Sequence, residues 1–125
     1  MIAGFLYFNA LLYAVLAAWC TFAPRSTAAA MGYSSLSASG QSEFLVVYGG
    51  LQLGLGLFFL YCARTGEDRI GLLLALALYG PVVAYRLVTV WRFWPVGGAT
   101  LWIAGLELAL LLASMGLWLG RDGRA

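Results

Sequence analysis

The chain has 125 residues, of which 63% are hydrophobic and 10% are charged, and its mean hydropathy is +0.91. A soluble domain carries about 25% charged residues, so this chain lacks the polar coat that contact with water requires. The seven basic residues are all arginines, and the net charge of +2 is too small for a nucleic-acid surface. Composition therefore excludes a water-soluble domain and a nucleic-acid partner, and it makes the lipid bilayer the main partner of the surface.

Four stretches of the chain are long and apolar enough to cross a bilayer as helices, which takes about 20 residues. Helices satisfy their backbone hydrogen bonds internally, as lipid requires, and the sequence shows no strand-like alternation. The first stretch reads as a helix rather than a signal peptide, because no basic residue precedes it and its apolar run is too long. We predict an all-α, single transmembrane domain over residues 1–125, a four-helix bundle whose helices cover residues 2–22, 44–63, 70–91 and 96–119.

The arginines predict the orientation of this bundle. Alternating helices put both termini on one side of the membrane, and the loops then divide six arginines unevenly: Arg64, Arg69, Arg121 and Arg124 on that side, Arg25 and Arg92 on the other. The positive-inside rule therefore places both termini in the cytoplasm.

The first connection, residues 23–42, differs from the two short ones that follow it. It is rich in serine, alanine and glycine, too polar to span the membrane, and long enough to fold over the outer mouth of the bundle. Residues 27–31 fit one short helical turn before Gly32. We expect an extramembrane loop here, either a lid over the bundle or a plain surface loop.

Three ionisable residues in or beside the apolar stretches need an explanation, because an ionised side chain at mid-depth costs several kcal/mol. They are Glu43, Arg86 and Glu107, and all three fall in the outer half of the membrane. At 1.5 Å per residue, Arg86 and Glu107 differ in depth by about 5 Å, which a guanidinium and a carboxylate can bridge. We predict an ion pair between Arg86 and Glu107.

Helical periodicity predicts which residues face the interior. At about 100° per residue, each predicted helix has one stripe of polar or small residues. The stripes are Asn9, Tyr13 and Cys20; Glu43, Gly50 and Gly54; Leu72, Tyr79 and Arg86; and Thr100, Glu107 and Ser114.

These stripes predict one polar cluster, which is either a ligand-binding site or a structural brace. Its members are Asn9, Tyr13, Glu43, Tyr79, Arg86 and Glu107. Two carboxylates around one arginine leave a surplus negative charge, which protonation of one glutamate, a bound positive group or water at Glu43 would offset. Alternatively, Glu43 lies in the first turn of its helix, where the helix dipole favours a carboxylate.

Two further features concern helix packing. Gly50 and Gly54, four residues apart, allow helices to approach closely, within the bundle in preference to a homodimer. Pro81 removes a backbone hydrogen bond and predicts a kink that opens space one turn before Arg86. Gln52 lies on the face opposite Glu43, so we expect it to bond another helix or another subunit.

Several of these residues resemble the pattern of a known family. The stretch from Ser42 to Gly50, the pair Asn9 and Tyr13, the late arginine of the third helix, and Glu107-Leu108 before Gly116-Leu117-Trp118 resemble small bacterial four-helix membrane proteins of unknown function, near the DoxX-like group. The resemblance covers nearly the whole chain. It implies a bacterial inner-membrane fold and supports one constellation of Asn9, Glu43, Arg86 and Glu107, but it implies no reaction.

The predicted function follows from the cluster. No histidine, metal-ligand cluster or nucleophile motif accompanies the glutamates, so we expect no catalytic residue, metal or cofactor. We expect a non-enzymatic membrane protein that binds a small amphipathic or lipid-like ligand or braces a partner interface. The alternatives are a proton-coupled small transporter, which requires a homodimer, and a membrane enzyme that acts on lipid.

Overall fold

A computed structural model describes residues 1–122, and within them the chain forms five helices and no strand. Helix α1 covers Ile2–Phe22, α2 covers Pro24–Ala30, α3 covers Ala38–Thr65, α4 covers Asp68–Arg92 and α5 covers Gly98–Asp122. All except α2 are long and apolar enough to cross a membrane. The all-α fold with four transmembrane helices is confirmed, and the chain has the architecture of a small multi-pass membrane protein. Arg124, which entered the predicted orientation, lies outside the described residues.

Most of the apolar surface of these helices remains exposed. In the most apolar 18 residues of the four long helices, 28%, 22%, 28% and 11% of positions are buried, in chain order. A soluble monomer does not expose contiguous apolar surface on this scale. Lipid is therefore the medium in which these side chains are stable.

Contacts group the chain into two compact units. The amino-terminal unit is Ala3–Glu67, and the carboxy-terminal unit begins at Asp68 and includes Met1 and Ile2. The first unit contains nearly all of α1 and the whole of α2 and α3. The second contains the hairpin of α4 and α5, which pack side by side. Each unit is described by itself below.

The connection between α1 and α3 is more helical than predicted. Pro24 occupies the first turn of α2, where its missing N–H removes no hydrogen bond. The Thr27 hydroxyl donates to the carbonyl oxygens of Ala23 and Pro24, at 2.9 and 3.2 Å. The helix ends where Gly32 takes a φ of 95° and Tyr33 N donates to Ala28 O. The predicted helical turn of residues 27–31 is thus the carboxyl end of a longer helix.

Helix α3 begins at Ala38, six residues before the predicted start at Phe44. Ser37 is its N-cap, and the Ser37 hydroxyl accepts a hydrogen bond from Gly40 N at 3.0 Å. Phe44 is buried with Cys20 and Ala28, so the connection folds onto the start of α3. Residues 38–42, predicted as loop, are therefore helical and capped.

Glycine and aromatic residues hold α3 against α1. A Cβ added to Gly56 would lie 3.2 Å from Ala10 O and 3.3 Å from Ala14 N, so the two backbones approach as closely as glycine permits. One turn later, the rings of Tyr13 and Phe59 stack with centroids 5.9 Å apart. Gly49 makes a similar approach, because its added Cβ would lie 2.9 Å from Thr21 Oγ1.

The predicted packing pair, Gly50 and Gly54, makes no close approach within the amino-terminal unit. Both glycines are exposed there, and nothing in this unit comes within 4 Å of a Cβ added at either, so their packing against another helix or a second copy stays a prediction. Gly50 and Gly54 lie on the outward face of α3, and Glu43 is exposed as well. The inward face is the one that carries Phe44, Gly49, Gly56 and Phe59.

A π-helical segment, Leu45–Leu51, lies in the middle of α3 and shifts the packing register. The buried positions Phe44 and Gly49 are five residues apart, the spacing of one π turn, whereas Gly56 and Phe59 keep α-helical spacing. One extra residue in this segment turns the amino-terminal part of α3 by about 100° relative to a continuous α-helix. Uniform α-periodicity therefore fails across this segment.

Candidate functional site

An ion pair joins the two helices of the carboxy-terminal unit. Arg86 Nε donates to Glu107 Oε2 at 2.9 Å, and Arg86 Nη2 donates to Glu107 Oε1 at 2.7 Å. The contact is bidentate, which is the strongest and most directional arrangement of these two groups. The Glu107 side chain is 14% exposed and that of Arg86 is 31% exposed. The predicted ion pair is confirmed.

Helical periodicity brings these two side chains to the same interface. On α4, Leu72 and Tyr79 are buried at seven-residue intervals before Arg86. On α5, Ser114 is fully buried seven residues after Glu107. The predicted stripes of α4 and α5 therefore face inward, as expected for two unbroken α-helices.

An open groove of about 300 Å³ lies beside the ion pair, on α4. Its volume is at the lower end of the range for small-molecule sites. Five residues line it: a proline, a valine, a tyrosine with an exposed phenol, an arginine and a threonine. In chain order these are Pro81, Val82, Tyr85, Arg86 and Thr89.

The groove combines an apolar end with a polar end. Pro81 and Val82 form the apolar end, one turn before Arg86. Thr89 lies at the other end, where its hydroxyl donates to Arg86 O at 3.1 Å and its oxygen can accept a further hydrogen bond. The sequence predicted free space near Pro81. Tyr85 and Thr89 were not predicted as site residues. They follow Pro81 by four and eight positions, which puts all three on one face of α4.

A second groove, of about 500 Å³, lies along the first turns of α5 beside Leu101, Trp102 and Leu106. Its lining is almost entirely apolar, with the Trp102 indole N–H as its one polar side-chain group, so it offers less to orient a ligand. Within residues 1–122, no group of three His, Cys, Asp or Glu side chains is placed to hold a metal ion. The groove beside Arg86 is therefore the stronger candidate site.

Glu43 lies near the amino-terminal end of α3; the structure contradicts its predicted place in the first helical turn, and its membership of the polar cluster stays a prediction. Its side chain is exposed, and within the amino-terminal unit no hydrogen bond or ion pair to it is formed. Because α3 begins at Ala38, Glu43 also lies beyond the first turn of the helix. The helix dipole stabilises a carboxylate mainly within that first turn. The physical reason is that α3 extends past the apolar stretch, so this carboxylate can reach water or lipid headgroups without facing inward.

The other predicted cluster members are placed as follows. Asn9 is completely buried in α1, and its amide donates to Phe5 O at 2.8 Å. Tyr13 stacks on Phe59 within the amino-terminal unit. Tyr79 is buried in α4. The predicted association of these residues with Arg86 and Glu107 in one constellation stays a prediction.

Gln52 is the remaining polar residue of interest in the amino-terminal unit. It lies on the inward face of α3, and its Oε1 atom is buried. Among the described residues, no donor satisfies that oxygen.

Comparison with protein-family models, with curated proteins and with solved structures found no match to this chain. The resemblance to the DoxX-like group therefore stays a prediction. The argument for function rests on the geometry of the site itself.

Proposed function

We propose that this chain is a non-enzymatic membrane protein that binds a small amphipathic, lipid-like ligand in the groove beside Arg86. The observation that carries the proposal is the position of the groove next to a bidentate ion pair within an otherwise apolar hairpin. The apolar end beside Pro81 and Val82 suits a hydrocarbon chain. The polar end beside Arg86 and Thr89 suits a headgroup.

Depth in the membrane supports this assignment. Arg86 lies six residues before the end of α4 at Arg92, which is about 9 Å along the helix axis. The 25-residue helix is about 37 Å long and the hydrocarbon core is about 30 Å thick, so Arg86 lies about 5 Å inside the boundary of the core. A ligand with its polar group at Arg86 and its chain towards Pro81 therefore has the orientation of a membrane lipid.

A structural brace is the second candidate function, and the bidentate geometry favours it. An ion pair that uses both carboxylate oxygens fixes the rotation and the register of two helices. In this function the pair would hold α4 against α5 for a partner, and the groove would hold bulk lipid without preference.

Two valine substitutions on α4 separate the two functions. Val82→Trp fills the groove, whereas Val88→Trp places the same bulk on an exposed position that does not line it. Lipids that co-purify with the wild type and with each variant in detergent are identified by mass spectrometry, and thermal stability is measured on the same samples. We expect Val82→Trp to lower the bound amphiphile about tenfold, with stability close to that of Val88→Trp.

Two results would contradict the binding proposal. One is a wild-type protein that retains no amphiphile above the level of its detergent micelle. The other is an equal content of bound amphiphile in both valine variants. Either result, together with a loss of stability on breaking the ion pair, would favour the brace.

We also propose a location in the bacterial inner membrane with both termini in the cytoplasm. The arginines of the described residues support it, because Arg64, Arg69 and Arg121 lie on the side of the termini and Arg25 and Arg92 on the other. Glu67→Cys and Phe93→Cys report the two sides, with Cys20 and Cys62 buried. In intact cells, a membrane-impermeant maleimide should label Cys at 93 and leave Cys at 67 unlabelled, and the reverse pattern would invert the orientation.

A further inference from the structure

The charges of the carboxy-terminal hairpin indicate which class of ligand suits the proposed binding function. Between Ile70 and Trp91 the sequence has one Asp, Glu, Lys or Arg residue, Arg86, and between Gly98 and Gly120 it has one, Glu107. Their charges are opposite, so the apolar part of the hairpin carries no net charge. The groove lies beside this neutral pair rather than beside a lone cation.

The two hydrogen bonds place the Glu107 carboxylate in direct contact with the guanidinium whose charge it balances. Both oxygens of Glu107 bond the same guanidinium, through Nε and Nη2, at 2.9 and 2.7 Å. An anionic headgroup in the groove would therefore meet a guanidinium whose charge is already balanced at contact distance. It would either displace Glu107 or add an unbalanced negative charge at a depth where such a charge is costly.

Neutral polar groups do not meet this obstacle, and the groove offers groups that suit them. The Tyr85 side chain is 76% exposed, and its phenol can donate and accept a hydrogen bond. The Thr89 oxygen can accept one from a hydroxyl. A headgroup of hydroxyl and ester groups is compatible with both, and it needs no counter-ion.

We infer that the ligand is an uncharged amphiphile of the acylglycerol class, and that Glu107 is the residue that excludes anionic amphiphiles of the same size. This inference rests on the proposed binding function. Glu107 acts as a specificity determinant because it cancels the charge of Arg86. Without that carboxylate, Arg86 becomes a cationic site next to an apolar groove, which is the arrangement that binds a phosphate or carboxylate headgroup.

A matched pair of probes tests the inference. A monoacylglycerol and the lysophosphatidic acid with the same acyl chain differ by one phosphate group. Binding of each is measured to the full chain in nanodiscs of neutral lipid, at neutral pH, for the wild type and for Glu107→Gln. We expect the wild type to bind the monoacylglycerol at least about tenfold more tightly, and Glu107→Gln to reverse the preference by at least about tenfold.

Two further variants separate charge from folding. Glu67→Gln makes the same chemical change at an exposed carboxylate of the other unit, and it should keep the wild-type preference. Arg86→Gln/Glu107→Gln removes both charges, so the hairpin stays neutral and the double variant should keep the preference for monoacylglycerol. A Glu107→Gln variant that keeps the preference for monoacylglycerol would overturn the inference, and if that variant does not fold, the wild type and the double variant can still overturn it.

The outcomes distinguish the inference from the function on which it rests. If the wild type binds neither probe, the proposed binding function fails and the inference fails with it. If the wild type binds both probes equally, or prefers the lysophosphatidic acid, the binding function stands and the inference is overturned. A double variant that prefers the lysophosphatidic acid would also overturn it, because no cation would then explain the preference.

Discussion

The two units of this protein hold their helices together in different ways. In the amino-terminal unit, α1 and α3 meet through Gly56 and the stacked rings of Tyr13 and Phe59. In the carboxy-terminal unit, α4 and α5 are joined by the Arg86–Glu107 ion pair. The first contact is steric and depends on the absence of a side chain. The second is electrostatic and depends on the presence of two.

This difference follows from the solvent. Lipid tails are as apolar as leucine side chains, so apolar burial alone gives helices little reason to associate in a membrane. Close backbone approach and polar bonds are the remaining attractive contributions. The chain uses one of them in each unit, and a substitution should therefore affect the two units through different physical terms.

The largest expected effect comes from breaking the ion pair in the carboxy-terminal unit. Arg86→Met or Glu107→Leu leaves one charge without its bidentate partner in an apolar hairpin, and each should lower the free energy of unfolding by about 2–4 kcal/mol. The double variant removes both charges, so it should lose less than the sum of the two by at least about 1 kcal/mol. Unfolding in mixed micelles, followed by circular dichroism, measures all four proteins.

Glu43→Gln is the control for this cycle, because Glu43 is exposed and makes no ion pair within its own unit. Its unfolding free energy should stay within about 0.5 kcal/mol of the wild type. Losses that simply add in the double variant would show that the two charges are not coupled, and the ion pair could then not be the bond that holds the hairpin.

A smaller effect is expected from filling the close approach in the amino-terminal unit. Gly56→Ala places a methyl group 3.2 Å from a backbone oxygen of α1, which cannot rotate away, so the helices must separate. Overpacking of this kind costs about 1–3 kcal/mol. Gly54→Ala, two residues away on the open face, should be neutral or stabilise by up to about 1 kcal/mol.

The same unfolding measurement compares the two alanine variants. Equal stability of Gly56→Ala and Gly54→Ala would mean that α1 and α3 are not held by close approach at Gly56. A large loss at Gly54 with none at Gly56 would mean that the outward face of α3, with Gly50 and Gly54, is the one that packs, as the sequence predicted.

The sequence predicts the carboxy-terminal unit well because its signals are strong and its helices are regular. Arg86 and Glu107 stand alone in long apolar stretches, so their cost in lipid implies a partner, and uniform periodicity over α4 and α5 places both on the same interface. Pro81 marks the free space that becomes the groove.

The amino-terminal unit was harder to predict, for two physical reasons. A glycine allows close helix packing because it has no side chain, so the sequence does not distinguish Gly50 and Gly54 from Gly49 and Gly56. The position of the partner helix decides which face of α3 packs. The π segment then breaks the periodicity that would relate Glu43 to the rest of α3. The Ser37 cap was overlooked because polar Ser, Gly and Gln residues precede the apolar stretch.

Deleting one residue from the π segment tests what sets the packing register of α3 in the amino-terminal unit. A π turn is one residue added to an α-helix, so deletion of Gly50 should convert Leu45–Leu51 to α-helix and keep Phe44 and Phe59 on the same face. We expect the free energy of unfolding to change by less than about 1 kcal/mol, because the better backbone geometry offsets small repacking.

Deletion of Leu57, also exposed but in the α-helical part, rotates everything before it by about 100° and should prevent folding of the unit. If both deletions are equally damaging, the π segment is not the source of the register shift, and the inward position of Phe44 and Gly49 must then be fixed by the packing of the connection between α1 and α3 onto Phe44.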